Sequence, residues 1–320
     1  MAEQQETQQE TQQVQKKNRL KSQAPRLALF MATLIWGSSF VMMKNAVGAF
    51  PPNYLLMIRF GVSCLFLSLI FWRRLKAIDR SYLMQTAIIG LCLSLAYTLQ
   101  TLGIQHTTPG KNAFLTAIYV IIVPFLHWFL EKQKPGGKNL LAAVVCLAGI
   151  GLISLTSQLT IGLGDGYTLL GGFFFAAHMV CVGFFSQDKD PILITILQFG
   201  YCALFFGIAA LSLETFPRTI DAAGAFNLFY LTFFCTSLAL LLQNYGQKYT
   251  SPSTASLLLS LESIFGVLFS VFFYDEVLTL RLVIGFALVF GAILIAEGNF
   301  SLKSRSELSL AGNEAAEQQN

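Results

Sequence analysis

The sequence predicts an all-α polytopic membrane protein in which ten transmembrane helices form two inverted five-helix repeats. Three observations predict this fold class. The chain has 320 residues, of which 54% are hydrophobic and only 12% charged, about half the charged fraction of a soluble domain. Its apolar residues form runs near the ~20 residues of helix that a bilayer requires. A segment of the first half recurs in the second half.

Ten apolar runs, separated by polar or proline-containing breaks, define the predicted helices. The runs cover 27–47, 53–72, 82–104, 109–130, 138–156, 166–186, 191–213, 225–247, 252–274 and 279–297. Proline occurs at many of the breaks, where its missing N–H does not interrupt a helix interior. The first repeat is predicted over 27–157 and the second over 158–298, with a disordered glutamine-rich tail at 1–26 and a polar tail at 299–320.

The basic residues give the helices an orientation. If the N-terminus is cytoplasmic, sixteen Lys and Arg residues lie at cytoplasmic ends or in the tails, four lie at outer ends, and Arg59 lies inside the second helix. Membrane proteins keep an excess of Lys and Arg on the cytoplasmic side. We therefore expect a multi-pass protein of the cytoplasmic membrane with both termini in the cytoplasm.

An internal repeat divides the chain. The segment LQTLGIQHTTPGKNAFL at 99–115 aligns with LQNYGQKYTSPSTASLL at 242–258, an offset of 143 residues. The matched pairs are Gln100 and Gln243, Gly103 and Gly246, Thr107 and Thr250, and Pro109 and Pro252. Five helices per repeat is an odd number, so the second copy must enter the membrane from the opposite face. Inverted repeats are typical of carriers, whose substrate binds near the midplane between the halves.

Two further segments resemble a known family. WGSSFV at 36–41 is similar to its first-helix signature, and SLESIFGVLFSVFFYDEVLTLRLVIGFALVFGAILIAEG at 260–298 is similar to the end of its second repeat, with Glu262 and Glu276 at motif positions. Together they resemble the EamA family of the drug/metabolite transporter superfamily over 27–298. The resemblance implies a ten-helix carrier that exports or exchanges small metabolites, often amino acids. Ser263 stands where the family commonly has proline, which implies a softer kink.

Glu262 is the strongest candidate functional residue. It lies about ten residues from either end of the predicted ninth helix, where a charged group costs at least about 2.5 kcal/mol unless it faces a partner or a wet cavity. It could bind a cationic group of the substrate or accept a proton. A structural ion pair, or a hydrogen bond to helix backbone, would explain it equally well.

Two basic residues are also candidates. Lys44 shares a helical face with Thr33 and Gly37, so it lines an outer vestibule or snorkels to the interface. Arg59 lies nearly two turns inside the second helix and could pair with a substrate carboxylate, with a backbone carbonyl or with a neighbouring helix.

Polar and aromatic residues complete the candidate site. The repeat-related Gln100 and Gln243, with Tyr97 and Asn244 beside them, form polar stripes that either line a cavity or join helices. Trp36 could contact substrate or simply pack. His178 could titrate near neutral pH, or could form a neutral helix contact.

The remaining motifs favour a carrier over other functions. GLGD at 162–165 and YD at 274–275 resemble intramembrane aspartyl protease motifs, but their order is reversed and both fall in or beside loops. A receptor or channel stays open as the alternative. The charge pattern does not suggest nucleic-acid binding, and no metal, cofactor or nucleotide motif occurs, so transport would use a proton, a counter-substrate or the solute gradient. The partners expected are the lipid bilayer and a small polar or amphipathic substrate; a monomer and a homodimer both stay open.

Overall fold

The computed structural model describes residues 2–132, 136–154, 161–250 and 252–297, and these form an all-α bundle. Ten apolar helices, α1 to α10, follow the predicted order. Their bounds are α1 Ala2–Ala49, α2 Pro52–Ile70, α3 Arg80–His106, α4 Pro109–Thr116 with Tyr119–Glu131, α5 Gly137–Ser154, α6 Leu163–Phe185, α7 Pro191–Leu213, α8 Ala222–Tyr230, Leu231–Leu238 and Ala239–Lys248, α9 Pro252–Phe273, and α10 Leu280–Glu297. A short 3₁₀ turn, Arg74–Ala77, joins α2 to α3.

The helix ends agree with the predicted ends to within three residues, except at the start of α1. The structure continues α1 back to Ala2, so the stretch expected to be a disordered tail is helical. Gln, Glu and Lys dominate that stretch, and all three favour helix once a turn has formed. The C-terminal tail predicted at 299–320 lies outside the described residues.

The surface of the bundle is apolar. Seven helices in the described ranges are long and apolar enough to cross a bilayer, and the apolar parts of α5, α9 and α10 are shorter, at Leu140–Ile153, Leu258–Phe273 and Leu280–Ile295. Large hydrophobic side chains such as Leu213 and Phe129 are mostly exposed, whereas Arg59, Gln243 and other polar side chains are buried. Polar groups inside and apolar groups outside are what a lipid environment requires.

Two helices depart from regular α winding. α4 is interrupted between Thr116 and Tyr119, where backbone hydrogen bonds tighten to three-residue steps such as Val120 N to Ala117 O at 3.1 Å. α8 contains the π segment Leu231–Leu238. The sequence predicted a single regular helix at each place. α9 is continuous past Ser263; the softer kink expected there stays a prediction.

The helices alternate between two ends of the bundle. We name these the Lys111 end, where α3 ends and α4 begins, and the Arg74 end, where α2 ends and α3 begins. α1 runs toward the Lys111 end, since Lys44 reaches the last carbonyls of α3. α6 runs the opposite way, since Gly164 in its first turn lies against His106. The first helices of the two repeats are therefore antiparallel, and the repeats are inverted.

Most of the packing joins one repeat to the other. α2 packs on α7, α4 on α9, and α5 on α10, each a helix against its own repeat mate. The remaining large interfaces occur in related pairs: α1 on α8 corresponds to α6 on α3, α1 on α9 corresponds to α6 on α4, and α3 on α7 corresponds to α8 on α2. Interfaces of this kind surround a pseudo-two-fold axis that passes between the repeats.

The matched glycines of the repeat make matched contacts. A Cβ at Gly103 would lie 2.3 Å from Thr168 Oγ1 of α6, and a Cβ at Gly246 would lie 2.4 Å from Leu29 Cγ of α1. Both distances are too short for a side chain, so glycine is required for the third helix of each repeat to approach the first helix of the other. The sequence match at the 143-residue offset thus marks a shared packing contact.

Candidate functional site

A central cavity lies between the two repeats. Helices α1 to α4 line it from the first repeat, and α6, α8 and α9 line it from the second. The lining residues are Trp36, Ser39, Phe40, Met43, Arg59, Tyr97, Gln100, Ile104, Asn112, Thr116, Tyr119, Phe175, Met179, Leu240, Gln243, Leu259 and Glu262.

Five pairs of these lining residues are related by the same offset of 143. The pairs are Trp36 and Met179, Tyr97 and Leu240, Gln100 and Gln243, Thr116 and Leu259, and Tyr119 and Glu262. The cavity therefore lies at the pseudo-two-fold axis. The positions are symmetric but the chemistry is not. In four of the five pairs an aromatic or hydroxyl residue of the first repeat corresponds to a Met, a Leu or an acid of the second.

The acid is Glu262, near the middle of α9. Its side chain is 6% exposed and lines the cavity. Its repeat mate Tyr119 has its hydroxyl next to the Glu262 carboxyl, without a well-formed hydrogen bond between them. No Lys, Arg or His of the described chain lies within ion-pair distance of Glu262. The structural ion pair considered from the sequence is thus not seen in these residues.

Arg59 provides the positive charge of the cavity and is 2% exposed. Its Nε and Nη2 atoms donate to Thr236 Oγ1 at 3.1 and 3.0 Å, and Nη1 donates to Met43 Sδ at 3.3 Å. The guanidinium also lies 5.3 Å from the centre of the Tyr97 ring, which is within range of a cation–π attraction. Arg59 is therefore held by neutral partners, with no carboxylate at 4 Å or less in the described ranges.

The π segment of α8 places the partner of Arg59. Thr236 Oγ1 donates to Leu231 O at 2.8 Å, five residues back, and accepts from Arg59. A π turn widens the helix and changes which side chains face inward. π segments often occur at functional sites, and here the segment precedes the cavity residues Leu240 and Gln243.

Amide side chains line the cavity on both repeats. Asn112 Nδ2 donates to Thr168 Oγ1 at 2.7 Å, and Gln100 Nε2 donates to Thr116 Oγ1 at 3.2 Å. The carbonyl oxygens Asn112 Oδ1 and Gln243 Oε1 are buried and have no hydrogen-bond partner among the described residues. A cavity with unpaired acceptors in its wall is suited to a ligand that donates hydrogen bonds.

Of the nine site residues predicted from the sequence, six line this cavity. They are Trp36, Arg59, Tyr97, Gln100, Gln243 and Glu262. Their role as substrate contacts stays a prediction. The indole of Trp36 also donates to Cys235 O at 2.9 Å, which fixes the ring at the cavity wall.

The other three predicted residues lie outside the cavity. Lys44 Nζ donates to the carbonyls of Ile104, Gln105 and Thr107 at 2.6, 3.2 and 2.9 Å, so it caps the end of α3. His178 Nε2 and Gln198 Oε1 are 3.1 Å apart between α6 and α7. Asn244 Nδ2 donates to Thr195 Oγ1 at 2.8 Å between α8 and α7. Each of the three contacts a neighbouring helix, and a role for any of them at the substrate site stays a prediction.

The sequence interpretation missed several lining residues. Tyr119 could have been found, because extending the repeat offset from Glu262 points to it. Asn112 lies inside the aligned repeat, but it aligns with Ala255 and so gave no matched polar pair. Thr116 and the apolar lining residues carry no signal in the sequence, because they resemble the residues of any packed helix.

A second, smaller cavity continues toward the Arg74 end. It is lined by Val123, His127, Met179, Val180, Gly183, Gln247 and Ala255. Met179 lines both cavities. The flexible, unbranched Met179 side chain is thus shared by the central space and the space leading toward the Arg74 end.

A charged cluster joins the helices at the Lys111 end. Lys111 Nζ and Thr107 Oγ1 each donate to the buried Asp165, at 2.7 Å in both cases. Glu276, from the connection between α9 and α10, accepts from Gly110 N at 2.9 Å and from the hydroxyls of Thr108 and Ser270. Acidic residues of the second repeat therefore hold the α3–α4 junction of the first.

The two aspartates of the protease-like motifs are not placed for catalysis. Both oxygens of Asp165 accept hydrogen bonds from Lys111 and Thr107. Asp275 is exposed, with a left-handed backbone at φ 50°. An aspartyl protease requires two carboxylates that share a proton, and an acid already paired with a lysine does not fit that role. No group of three or more potential metal-ligating side chains occurs in the described ranges.

Comparisons with known proteins agree with this architecture. The model of the EamA-like transporter family matches residues 25–155 and 162–297, one match in each repeat. An uncharacterized transporter of Archaeoglobus fulgidus is 32% identical over 270 residues, covering 84% of both chains. The uncharacterized transporter YyaM of Bacillus subtilis is 25% identical, covering 83% of this chain and 91% of its own length.

A solved structure supports the fold. One crystal structure superposes with a TM-score of 0.62 and 16% identity, covering 88% of this chain and 98% of that one. At this identity the likeness concerns the fold alone.

Proposed function

Because the chain belongs to the EamA-like transporter family, we propose that it is a secondary carrier of a small amphipathic metabolite, an amino acid or a related compound. The observation that carries the proposal is the cavity at the pseudo-two-fold axis. Its wall combines one carboxylate and one guanidinium that are not paired with each other, together with aromatic and aliphatic side chains. A small molecule with both charged and apolar parts matches that wall.

The inverted repeats support transport by alternating access. Each half can close one end of the bundle while the site stays near the middle. In this structure the Lys111 end is held by charged contacts, whereas a second cavity leads from Met179 toward the Arg74 end. The excess of basic residues favours the cytoplasm for the Arg74 end and for both termini. Export through the cytoplasmic membrane is the direction that we propose.

Counterflow in proteoliposomes tests the proposal. Vesicles containing the purified full chain are loaded with an unlabelled amino acid and placed in a trace of the same labelled compound. A carrier accumulates label transiently by exchange, whereas a channel only equilibrates it and a receptor leaves it outside. Leucine, phenylalanine, serine, lysine and glutamate cover the main side-chain classes.

The control is a variant that fills the cavity. Thr116→Trp places an indole where a small hydroxyl side chain lines the wall, and it should abolish counterflow while the protein still elutes as a single species. Asp188→Asn, in the exposed turn between α6 and α7, should leave counterflow unchanged. Absence of counterflow for every compound, or full counterflow by Thr116→Trp, would contradict the proposal.

A further inference from the structure

We propose that a group of hydrogen-bond acceptors in the cavity wall binds the primary ammonium of a zwitterionic substrate, whose carboxylate is bound by Arg59. The acceptors are the Glu262 carboxylate, Gln243 Oε1, Asn112 Oδ1 and the Tyr119 hydroxyl oxygen. The inference rests on the proposed carrier function and deepens it, because it assigns the two charged groups of the substrate to opposite poles of one site.

The acceptors are unpaired in the structure. Gln243 Oε1 and Asn112 Oδ1 are buried and have no hydrogen-bond partner among the described residues, and the buried Tyr119 hydroxyl has only the neighbouring Glu262 carboxyl, without a well-formed hydrogen bond. Leaving a buried polar atom unpaired costs about 1–3 kcal/mol. Two such amide oxygens, with a hydroxyl and a carboxylate in the wall of the same cavity, indicate that a ligand supplies the missing donors.

The orientation of Asn112 is set by its other contacts. Its Nδ2 donates to Thr168 Oγ1 at 2.7 Å and to Gln100 O at 3.4 Å. Thr168 Oγ1 in turn donates to Gly164 O at 2.8 Å, so that hydroxyl can only accept from Asn112. The Asn112 carbonyl oxygen is therefore presented as an acceptor, rather than assigned arbitrarily between the two amide atoms.

A primary ammonium matches this set of acceptors. It carries one positive charge and three N–H donors, which can reach the carboxylate and two or three neutral oxygens together. A quaternary ammonium carries the charge but has no donor, and it would leave the amide oxygens unpaired. The acceptor group therefore selects for a protonated primary amine more sharply than charge alone would.

Arg59 provides the opposite pole. Thr236 and Met43 accept from Nε and from one N–H on each terminal nitrogen, so at most two of the five N–H donors remain for a ligand. Arginine commonly binds carboxylates through two such donors. Trp36, Phe40, Phe175 and Leu259 lie in the same wall and can cover an apolar side chain between the poles.

The test separates the two poles by competition binding. Labelled leucine is bound to the purified full chain and displaced by 4-methylpentanoate, which lacks the ammonium, or by 3-methylbutylamine, which lacks the carboxylate. The wild type should prefer leucine over each analogue by at least about tenfold, because either analogue leaves one pole unpaired.

Two variants should respond differently. Glu262→Gln should reduce the preference for leucine over 4-methylpentanoate by about tenfold and leave its preference over 3-methylbutylamine largely intact. Arg59→Gln should do the reverse. The exposed Asp188→Asn is the matched loss of a carboxylate outside the cavity, and it should change neither preference. Leucine binding with the same two preferences in Glu262→Gln as in the wild type would overturn the proposal.

Further variants keep the test decisive if Glu262→Gln does not fold. Gln243→Leu and Tyr119→Phe each remove one neutral acceptor, and each should reduce the preference over 4-methylpentanoate several-fold. Unchanged preferences in both would overturn the proposal.

A sodium site would also overturn the proposal. It would be identified if sodium chloride stabilised the apo protein more than choline chloride did, and if this difference were lost in Glu262→Gln. If no amino acid shows counterflow, the carrier proposal itself fails; if amino acids exchange but the preferences do not shift, only this inference fails.

Discussion

The two ends of the bundle each contain an ion pair of nearly the same length in very different surroundings. At the Lys111 end, Lys111 and Asp165 are 2.7 Å apart, with side chains 22% and 3% exposed. At the Arg74 end, Arg74 and Asp190 are 2.6 Å apart, with side chains 52% and 26% exposed. Length alone would rank the two pairs as equals. Burial separates them, because a buried charge that loses its partner cannot turn to water.

The asymmetry of the two ends is built on a symmetric scaffold. At the offset of 143, Lys111 corresponds to Thr254, Asp165 to Ser22, and Glu276 to Gln133. None of these three charged residues of the Lys111 end has a charged counterpart in the other repeat. The repeats thus share their packing and the positions of their cavity residues, but not the charged residues at this end.

The largest effect is expected from Lys111→Met. It leaves Asp165 buried with only the Thr107 hydroxyl as a partner, and it should lower the free energy of unfolding by about 3 kcal/mol. Denaturant unfolding in detergent micelles measures this. Lys111→Met with Asp165→Asn should recover part of the loss, because the unpaired charge is gone. If Lys111→Met alone were as stable as the wild type, the buried ion pair would contribute no more to stability than the exposed one.

Glu276→Gln should have the next largest effect. The neutral amide keeps the shape but weakens the hydrogen bonds from Gly110 N and from the Thr108 and Ser270 hydroxyls. We expect a loss of about 1.5 kcal/mol, because bonds to a charged acceptor are stronger than neutral ones. The same unfolding assay measures it. If the loss in free energy of unfolding is only that of Arg74→Gln, Glu276 stabilises the Lys111 end no more than an exposed ion pair stabilises the Arg74 end.

Lys44→Met should cost about 1 kcal/mol. It removes the positive charge and the donors that satisfy three carbonyls at the end of α3. Hydrogen exchange at the last turn of α3 should rise, while leucine binding should stay within about twofold of the wild type, because Lys44 does not line the cavity. A larger loss of leucine binding would indicate that Lys44 contributes to the substrate site.

The smallest effect is expected from Arg74→Gln. Its ion pair with Asp190 is largely exposed, so we expect a loss below about 0.5 kcal/mol. Raising the sodium chloride concentration should remove even that difference by screening, whereas the loss in Lys111→Met should persist. A loss for Arg74→Gln close to that of Lys111→Met would show that burial does not distinguish the two ends.

The sequence predicted the features that follow from length, charge and repetition. The ten helices and the inverted repeats are confirmed, because hydrophobic length and an odd number of helices per repeat leave few alternatives. The repeat match also placed Gln100 and Gln243 together, and both line the cavity. The orientation of the termini stays a prediction.

The features that depend on distant contacts could not be predicted. Lys44 reaches carbonyls some 60 residues away, and His178 meets Gln198 on the next helix; nothing local in the sequence encodes either partner. The interruption of α4 between Thr116 and Tyr119 has no glycine or proline at the break, so no helix-breaking residue signals it. The π segment of α8 could not be predicted either, since it contains only residue types that occur in regular membrane helices.

That π segment allows α8 to change length without turning its cavity residues away. A π turn accommodates one residue more than regular α winding, so a chain that lacks one residue within Leu231–Leu238 could form a regular helix there. The residues beyond the segment would keep their direction, because the wide turn and the regular turn cover the same angle about the helix axis. Leu240 and Gln243 would stay in the wall, whereas the contact between Thr236 and Arg59 depends on the wide turn itself. We expect relatives that are one residue shorter at this segment to keep the cavity wall but to hold the arginine differently.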